Sequence, residues 1–181
     1  RIYKITYGSS SVTPGPLAAL LKDNFPEIQH ATHMETRQLF ARSPVLNYNN
    51  EPVEISAYYA VDPEFLKVFD FQVLHGDLTL ALNTPFSMIL TESEAGGIFN
   101  EEDPIGKILT WRTNQDTLFT VQAIVKDVPQ NSSIQFNGLI SEASVKKMTP
   151  YYPENWNFTV YETYLLLKPN IDPEPFESKL N

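Results

Sequence analysis

Two segments of this chain constrain its fold more than any other part of the sequence. The first, 87–107, reads SMILTESEAGGIFNEEDPIGK, and the second, 121–136, reads VQAIVKDVPQNSSIQF. In the first segment, residues 88–90 predict a buried strand, residues 92–99 a short helix, and residues 103–106 a turn into another strand. Neither segment carries a catalytic pattern, so both are predicted to be scaffold.

The two segments resemble the extracytoplasmic core domain of MacB-like and FtsX-like ABC transporter permeases. That pattern is a strand, a short helix ending in Phe-Gly, an acidic Asp-Pro-Ile-Gly-Lys turn and a later Asp-x-Pro-x-Asn-Ser, and it appears here in the same order. The resemblance identifies a set of structural positions in the two motifs. They are Asp103, Pro104, Gly106, Asp127, Pro129, Asn131 and Ser132.

The resemblance reaches beyond these motifs to segments 1–5, 20–28, 61–70 and 74–77, so it covers nearly the whole chain. One departure is Asn100, where the family usually carries glycine. Asparagine tolerates the left-handed conformation that ends a helix better than most residues do, so we expect the turn to persist.

The resemblance implies a non-enzymatic, cofactor-free domain on the periplasmic side of the bacterial inner membrane. ATP would be hydrolysed by a cytoplasmic ABC ATPase subunit or domain, and flanking membrane helices would transmit the motion. The domain would relay it to a cargo or partner, such as a periplasmic adaptor or lipoprotein, in export, lipoprotein handling or efflux. A homodimer in the full-length protein is a further implied partnership. The alternative is an extracytoplasmic ligand-sensing or solute-binding domain, which would need a partly apolar pocket with convergent polar groups.

Composition narrows the function classes. The formal charge of -9, from 13 basic and 22 acidic residues, argues against binding nucleic acid or anionic lipid. The absence of cysteine excludes disulfides and thiolate chemistry. No apolar run approaches the roughly 18 to 20 residues of a membrane helix, and no signal-peptide pattern opens the chain. We expect the natural termini to lie beyond both ends.

Periodicity predicts an α+β fold of mixed sheets with docked short helices. The predicted strands are 2–7, 28–40, 44–48, 53–61, 108–112, 118–126, 134–140 and 160–168, and the predicted helices are 16–25, 62–69, 79–82, 92–99 and a final one from 172. Asn49-Asn50 is a predicted hairpin turn. We expect two subdomains: a porter-like α/β part from 1–75 plus 134–181, and an inserted, strand-rich part from 76–133.

Few residues suggest chemistry. His30 and His33, near Glu35, invite a metal site, but strand positions 30 and 33 point to opposite faces, so a surface pair without a role is expected. His75 is expected in a turn. With no Ser-His-Asp pattern, the sequence does not support a secreted hydrolase, and a deep pocket lined by His30, His33 and carboxylates would revive that function.

Three other clusters receive structural interpretations. Glu92 and Glu94 are assigned to the first turn of a helix and 101–103 to a solvated turn, because their spacing lacks the pattern of a calcium loop. Gly96-Gly97, inside the same helix, predicts close contact between helix and sheet.

Aromatic residues concentrate between 151 and 164. Such clusters usually pack in a core or on a strand face, but an exposed Tyr-Tyr-Pro loop is also typical of a protein-binding tip. Tyr151, Tyr152 and Trp156 are therefore the candidate partner contacts.

Overall fold

A computed structural model describes residues 1–36, 45–112, 116–149 and 154–180. The strands within these residues are β1 (Ile2–Lys4), β2 (Thr13–Pro14), β3 (Ile28–Glu35), β4 (Val45–Tyr48), β5 (Glu51–Glu54), β6 (Tyr58–Val61), β7 (Val73–Gly76), β8 (Ser87–Thr91), β9 (Ile108–Trp111), β10 (Thr117–Val125), β11 (Gly138–Ser141) and β12 (Thr159–Leu167). The helices are α1 (Leu17–Asn24), α2 (Phe65–Val68), α3 (Leu78–Asn83), α4 (Glu92–Phe99), α5 (Glu142–Met148) and α6 (Pro173–Leu180).

All of these strands belong to one mixed sheet. Its main path runs β1-β12-β3-β6-β11-β8-β10-β9-β4-β5, with β2 added to β12 and β7 added to β10. The pairs β6–β11 and β8–β10 are parallel, and the other pairs are antiparallel. The α+β class with short docked helices is therefore confirmed, whereas the division into two subdomains stays a prediction.

The pairing between neighbouring strands of the main path is shortest between β3 and β6. These strands share one residue pair, Met34 with Val61, whereas β3 and β12 pair over most of their length. We call this contact the joint. On one side of it lie β1, β12 and β3, and on the other lie β6 and the remaining strands of the path.

Three apolar clusters cover the sheet. One packs α1 and α6 against β3 and β12, through Leu21, Phe176 and Leu165. A second spans the joint, because it joins Met34 of β3 and Val61 of β6 to Phe65 of α2. The third fills the wider side of the sheet. It includes Tyr58, Met88, Leu90, Phe99, Leu109, Phe119 and Ile140.

Strand β10 departs from the predicted alternation of faces. The sequence pattern placed Phe119, Val121, Ala123 and Val125 on one face, but the register with β8 shifts between Val121 and Ala123. As a result Phe119 and Val121 pack in the third cluster, while Ala123 and Val125 pack in the second. A bulge inserts one residue and so exchanges the faces of everything after it.

Several other boundaries differ from the predicted ones. The predicted strand 53–61 is two strands, separated by a bend in which Ala57 has φ 54°. The predicted strand 134–140 begins only at Gly138, and the end of 28–40 lies outside the described residues. Strands β2 and β7 and helix α5 were not predicted. The Asn49-Asn50 turn is confirmed, since both residues have positive φ between β4 and β5.

Candidate functional site

A cleft beside the joint has a volume of about 520 Å³. Its walls come from α1, β3, the segment that joins β6 to α2, helix α5 and the segment before β12. The charged lining residues are Lys22, Asp23, His33, Asp62, Glu64, Glu142, Lys146 and Glu154, and the others are Gly15, Pro16, Ala18, Ala19, Ala31 and Trp156. Among the described lining residues, five carboxylates face two lysines, so this part of the lining is acidic.

His33 lies at the inner wall of the cleft and is only 7% exposed. Its Nε2 is 2.7 Å from the Glu142 Oε1, within hydrogen-bond distance. Its Nδ1 is 3.6 Å from the Asp62 Oδ2, too far for a hydrogen bond, and makes none with any described residue. The Tyr161 ring packs edge-on against the imidazole, with centroids 4.6 Å apart. The expectation that His33 lies on the surface is therefore wrong.

Asp62 stands where β6 separates from β3. Its Oδ1 accepts hydrogen bonds from the Phe65 backbone N–H at 3.0 Å and from the Thr32 hydroxyl at 2.6 Å. Its Oδ2 lies 3.3 Å from the backbone nitrogen of His33, which donates to it. The Asp62 carboxylate thus accepts the first backbone amide of α2, as a helix cap does. The same carboxylate therefore accepts the His33 N–H of β3, which lies next to the one residue of β3 that pairs with β6.

The ionisable groups of His33, Glu142 and Asp62 shift one another's pKa. Burial lowers the pKa of His33, but the Glu142 hydrogen bond and the nearby charge of Asp62 outweigh burial, so the net pKa is raised. For Glu142, burial raises the pKa, but the His33 hydrogen bond prevails and the net pKa is lowered. Burial raises the pKa of Asp62 despite the opposing His33 charge. The directions for His33 and Glu142 favour an imidazolium that donates to the Glu142 carboxylate.

His30 occupies a different environment. Its Nδ1 is 3.3 Å from the Glu64 Oε2, and Glu64 also pairs with Lys67. No group of three or more metal-binding side chains is found among the described residues.

The cleft does not have the composition of a hydrolase site. Its described lining includes no serine, threonine or cysteine that could serve as a nucleophile. Both nitrogens of His33 face carboxylates, so neither is presented to a hydroxyl group as a catalytic base would be. A hydrolase would have been supported by a deep pocket lined by His30, His33 and carboxylates. The described lining of this cleft includes His33 and carboxylates but not His30. The geometry gives the hydrolase no support.

The candidate partner contacts fall partly outside the structure. Tyr151 and Tyr152 lie outside the described residues. Trp156 is 50% exposed and lines the rim of the cleft. Their role in partner binding remains a prediction.

The residues of the Asp-Pro-Ile-Gly-Lys motif form a turn. The Asp103 Oδ1 accepts the Ile105 N–H at 3.0 Å, and the Pro104 carbonyl accepts the Lys107 N–H at 3.1 Å. Gly106 has φ +79°, the conformation that a type II turn requires at its third residue. The Gly106 N–H donates to the Val121 carbonyl, which attaches the turn to β10.

The later motif also consists of turn and cap contacts. Asp127 accepts hydrogen bonds from the Ser93 N–H and hydroxyl at the start of α4. The Pro129 carbonyl accepts the Ser132 N–H at 2.9 Å, and the Ser132 Oγ accepts the Ile134 N–H at 3.3 Å. Asn131 lies exposed in the same turn.

The structure also places the acidic residues near α4, His75 and the two glycines of α4. Glu92 and Glu94 do occupy the first turn of α4, and 101–103 is an exposed turn. The turn expected at His75 is wrong, because His75 pairs with Ile124 of β10 as an exposed residue of β7, and the positive φ of +82° is at Gly76. The close contact predicted at Gly96-Gly97 is wrong, because a Cβ at either position would meet nothing within 4 Å.

A family model described as the MacB-like periplasmic core domain matches residues 1–181, and the chain belongs to that family. It is the periplasmic domain of a MacB-like ABC transporter permease, as the motifs had indicated. None of the helices in the described ranges is long and apolar enough to cross a bilayer. No curated protein sequence is a significant match.

Solved structures show the same fold. A domain of a putative permease protein from Porphyromonas gingivalis aligns with TM-score 0.79 and 24% identity, over 94% of this chain and 69% of that one. The periplasmic region of MacB from Actinobacillus actinomycetemcomitans aligns with TM-score 0.71 and 16% identity, over 99% of this chain and 78% of that one. The extracellular domain of the noncanonic ABC-type transporter YknZ from Gram-positive bacteria aligns with TM-score 0.61 and 13% identity, over 98% of this chain and 86% of that one.

Proposed function

We propose that this domain is a non-catalytic relay. It carries conformational change, driven by ATP hydrolysis on a cytoplasmic ABC ATPase subunit or domain, to a cargo or a periplasmic partner. The observation that carries the proposal is the continuity of one sheet from β1, the first strand of the chain, to the β4–β5 hairpin at the opposite edge.

The first and last strands are neighbours. In the antiparallel β1–β12 pair, Ile2 lies opposite Leu166, so the chain enters β1 beside the point where it leaves β12. Arg1 and Lys168 line the same surface pocket. Membrane helices attached before β1 and after β12, as in the family, would therefore act on one region of the sheet. The other strands of the sheet would move with that region.

The sheet can pass such movement over a useful distance. Its main path has ten strands, and at about 4.8 Å between neighbours this path is about 43 Å wide. Apolar clusters packed on the sheet resist bending, because close-packed interiors have low compressibility. Displacement at the β1 edge would thus reach the far edge with little loss.

The joint is the critical part of this path, because a single residue pair connects β3 to β6 there. Two sets of side-chain contacts reinforce it. Phe65 of α2, fully buried, packs in the same cluster as Met34 and Val61. Asp62 and Glu142, which lie beyond the joint, both contact His33 of β3.

The test compares two equivalent core substitutions in the complete transporter. Met34→Ala weakens the joint, whereas Met88→Ala removes the same side chain from β8, away from the joint; both methionines are buried. Each should cost about 2–5 kcal/mol of stability. We expect Met34→Ala to reduce cargo movement per ATP hydrolysed more than Met88→Ala does. Equal coupling ratios in the two variants would contradict the relay.

The non-catalytic part of the proposal has a separate test. The purified domain should bind no nucleotide and hydrolyse nothing, so measurable ATP turnover by it would overturn the proposal. Because dimers in this family would be held largely by membrane helices, the isolated domain should be monomeric or weakly dimeric. A tight dimer in light scattering at micromolar concentration would contradict this second expectation.

A further inference from the structure

Another surface cavity lies at the end of the sheet where β1 begins and β12 ends. Its volume is about 400 Å³, within the range of small-molecule sites. Tyr3 of β1, Gln29 of β3 and Leu167 of β12 line it, together with the turn 168–171 that leads to α6. We call this cavity the end pocket.

The described lining of the end pocket includes two cations and no carboxylate. The cations are Arg1 and Lys168, and both residues are exposed. Neither side chain forms an ion pair or a hydrogen bond with another described residue. The end pocket is therefore positively charged on a chain whose net charge is negative.

The two cations stay unpaired although the chain has 22 acidic and 13 basic residues. Five other lysines do pair with carboxylates, as Lys4–Glu162, Lys67–Glu64, Lys107–Glu102, Lys146–Glu142 and Lys179–Glu27. Two carboxylates close to the lining in sequence are engaged elsewhere, since Glu27 pairs with Lys179 and the Asp172 Oδ1 accepts the Glu174 N–H at 3.2 Å. An anionic ligand would thus pair with Arg1 and Lys168 without breaking an internal ion pair.

Neutral polar groups add hydrogen-bond donors to the end pocket. Gln29 and Asn170 are exposed, and the N–H groups of their carboxamides can donate to an oxyanion. The Ile171 N–H donates to the Lys168 carbonyl at 3.4 Å, so Lys168 and Asn170 are held in one turn. Guanidinium, ammonium and amide donors around one pocket suit a phosphate group, which offers more acceptor oxygens than a carboxylate.

The rest of the lining is apolar. Leu166 and Ile171 are half-buried, and Pro169 and Pro173 lie beside them. The hydrocarbon part of a phosphate ester would cover these side chains, and burial of apolar surface would add to the affinity. The end pocket therefore fits the phosphate and glycerol parts of a phospholipid better than it fits a bare inorganic anion.

We propose that the end pocket binds the phosphate group of a phosphate ester, with Arg1 and Lys168 as its cationic partners. The source is the head group of a membrane phospholipid or a soluble phosphate ester, which share this chemistry. The lipid source rests on the proposed relay function, because a membrane helix attached before β1 would place the end pocket beside the bilayer. The phosphate site itself does not depend on the relay.

The formal charge of -9 selects among phospholipids. Repulsion opposes the approach of the chain to an anionic bilayer, whereas a zwitterionic head group carries a phosphate without net charge. At physiological salt, charges more than about 8 Å from the phosphate are largely screened, so the two cations of the end pocket dominate its binding. Phosphatidylethanolamine is therefore favoured, in agreement with the argument from composition against anionic lipid.

The experiment titrates the 181-residue chain, acetylated at its N-terminus so that the α-amino group adds no charge, and follows amide signals by NMR. The probe is dihexanoyl phosphatidylethanolamine below its micelle concentration, and an equimolar mixture of glycerol and ethanolamine is the match without phosphate. We expect saturable shifts at Tyr3, Gln29 and Asn170 with the lipid and none with the mixture. Equal shifts with the mixture, or no saturable shift with the lipid, glycerophosphoethanolamine or inorganic phosphate, would overturn the proposal.

The same titrations distinguish the two sources. Tighter binding of the lipid than of glycerophosphoethanolamine would identify a phospholipid, because the two compounds differ only in the acyl chains. Equal affinities would identify a soluble phosphate ester and reject the lipid. The assay measures binding and not cargo movement, so its result stands whether or not the relay passes its own test.

Substitutions at exposed positions locate the site. Arg1→Gln and Lys168→Gln each remove one cation, and we expect about threefold weaker lipid binding in each, as for exposed ion pairs. Lys147→Gln removes the same charge from an exposed position of α5 outside the end pocket, and should leave the affinity unchanged. If all three variants lose affinity equally, the phosphate senses only the net charge and the site is refuted.

Discussion

Asp127 accepts hydrogen bonds from both the backbone N–H and the hydroxyl of Ser93, at the second residue of α4. The two residues are 34 positions apart, one in each of the two segments that mark the family. The first amides of a helix have no partner within the helix, so this carboxylate completes the helix from outside it. The separate sequence motifs are thus one structural unit.

Replacing Asp127 should destabilise the domain. Asp127→Ala leaves the Ser93 amide without its acceptor, and we expect a loss of about 1 kcal/mol in the free energy of unfolding, as for other caps. The Ser93 hydrogen bonds hold the pKa of Asp127 below its ordinary value. The stabilisation is therefore present above about pH 4 and disappears as the pH falls through the folded-state pKa. Urea unfolding across this range measures it, and the exposed Asp70→Ala provides the control.

Gly96 and Gly97 offer stabilising substitutions. Both are exposed in α4, and a Cβ at either position meets no atom within 4 Å. Alanine should raise the free energy of unfolding by about 0.5–1 kcal/mol per site, because glycine is flexible in the unfolded chain and has low helix propensity.

A matched glycine replacement should have the opposite effect. In Gly138→Ala the new methyl group would lie 2.4 Å from the Tyr58 ring, so the variant should lose stability. Thermal unfolding compares the three variants directly. A destabilised Gly96→Ala or Gly97→Ala would indicate a contact of α4 that the fold does not contain.

Replacing Asn100 by glycine, which the family usually carries at this position, should stabilise the fold. The residue does have positive φ, but at φ 54° and ψ -118° it is not in the expected left-handed helical region. With the Glu102 N–H donating to the Phe99 carbonyl, it matches the second residue of a type II′ turn. We expect Asn100→Gly to stabilise the fold by about 1 kcal/mol through relief of backbone strain. Asn100→Ala should destabilise it in the same unfolding assay.

The pair His33–Glu142 should make stability depend on pH. Because the folded-state pKa of His33 is raised, its contribution is complete below about pH 6.5 and is lost as the pH rises through that pKa. Because the pKa of Glu142 is lowered, its contribution begins to fall only below about pH 4.3. The stability lost in His33→Gln should therefore be greatest between these two values.

Urea unfolding at a series of pH values would test this window. Exposed His75→Gln serves as the control and should cost little stability at any pH. A His33→Gln cost that grows steadily above pH 7 would contradict the assigned direction of the His33 pKa.

Much of the fold could be predicted from local patterns. The helix of residues 92–99, the Asn49-Asn50 turn and the cap at Asp62 each depend on neighbouring residues only, and all three are present. The bulge in β10 was missed because Gln122 continues the alternation in sequence, and only the pairing with β8 shows the shift.

The cleft could not be predicted for a similar reason. His33 is buried by Glu142, 109 positions later, on a helix that the sequence pattern did not reveal. Helix α5 is short, and its buried side includes Glu142 and Ser144, so it lacks a clear apolar stripe. No residue next to His33 in the sequence identifies Glu142 as its partner.

The pairing of β1 with β12 also sets the order of events during synthesis. Lys4 bonds to Glu162, 158 positions away, so β1 cannot join the sheet until almost the whole domain has left the ribosome. Contacts of such separation form slowly. Until β12 emerges, β1 has no neighbour on the main path of the sheet and β3 lacks the strand that finally covers its open edge.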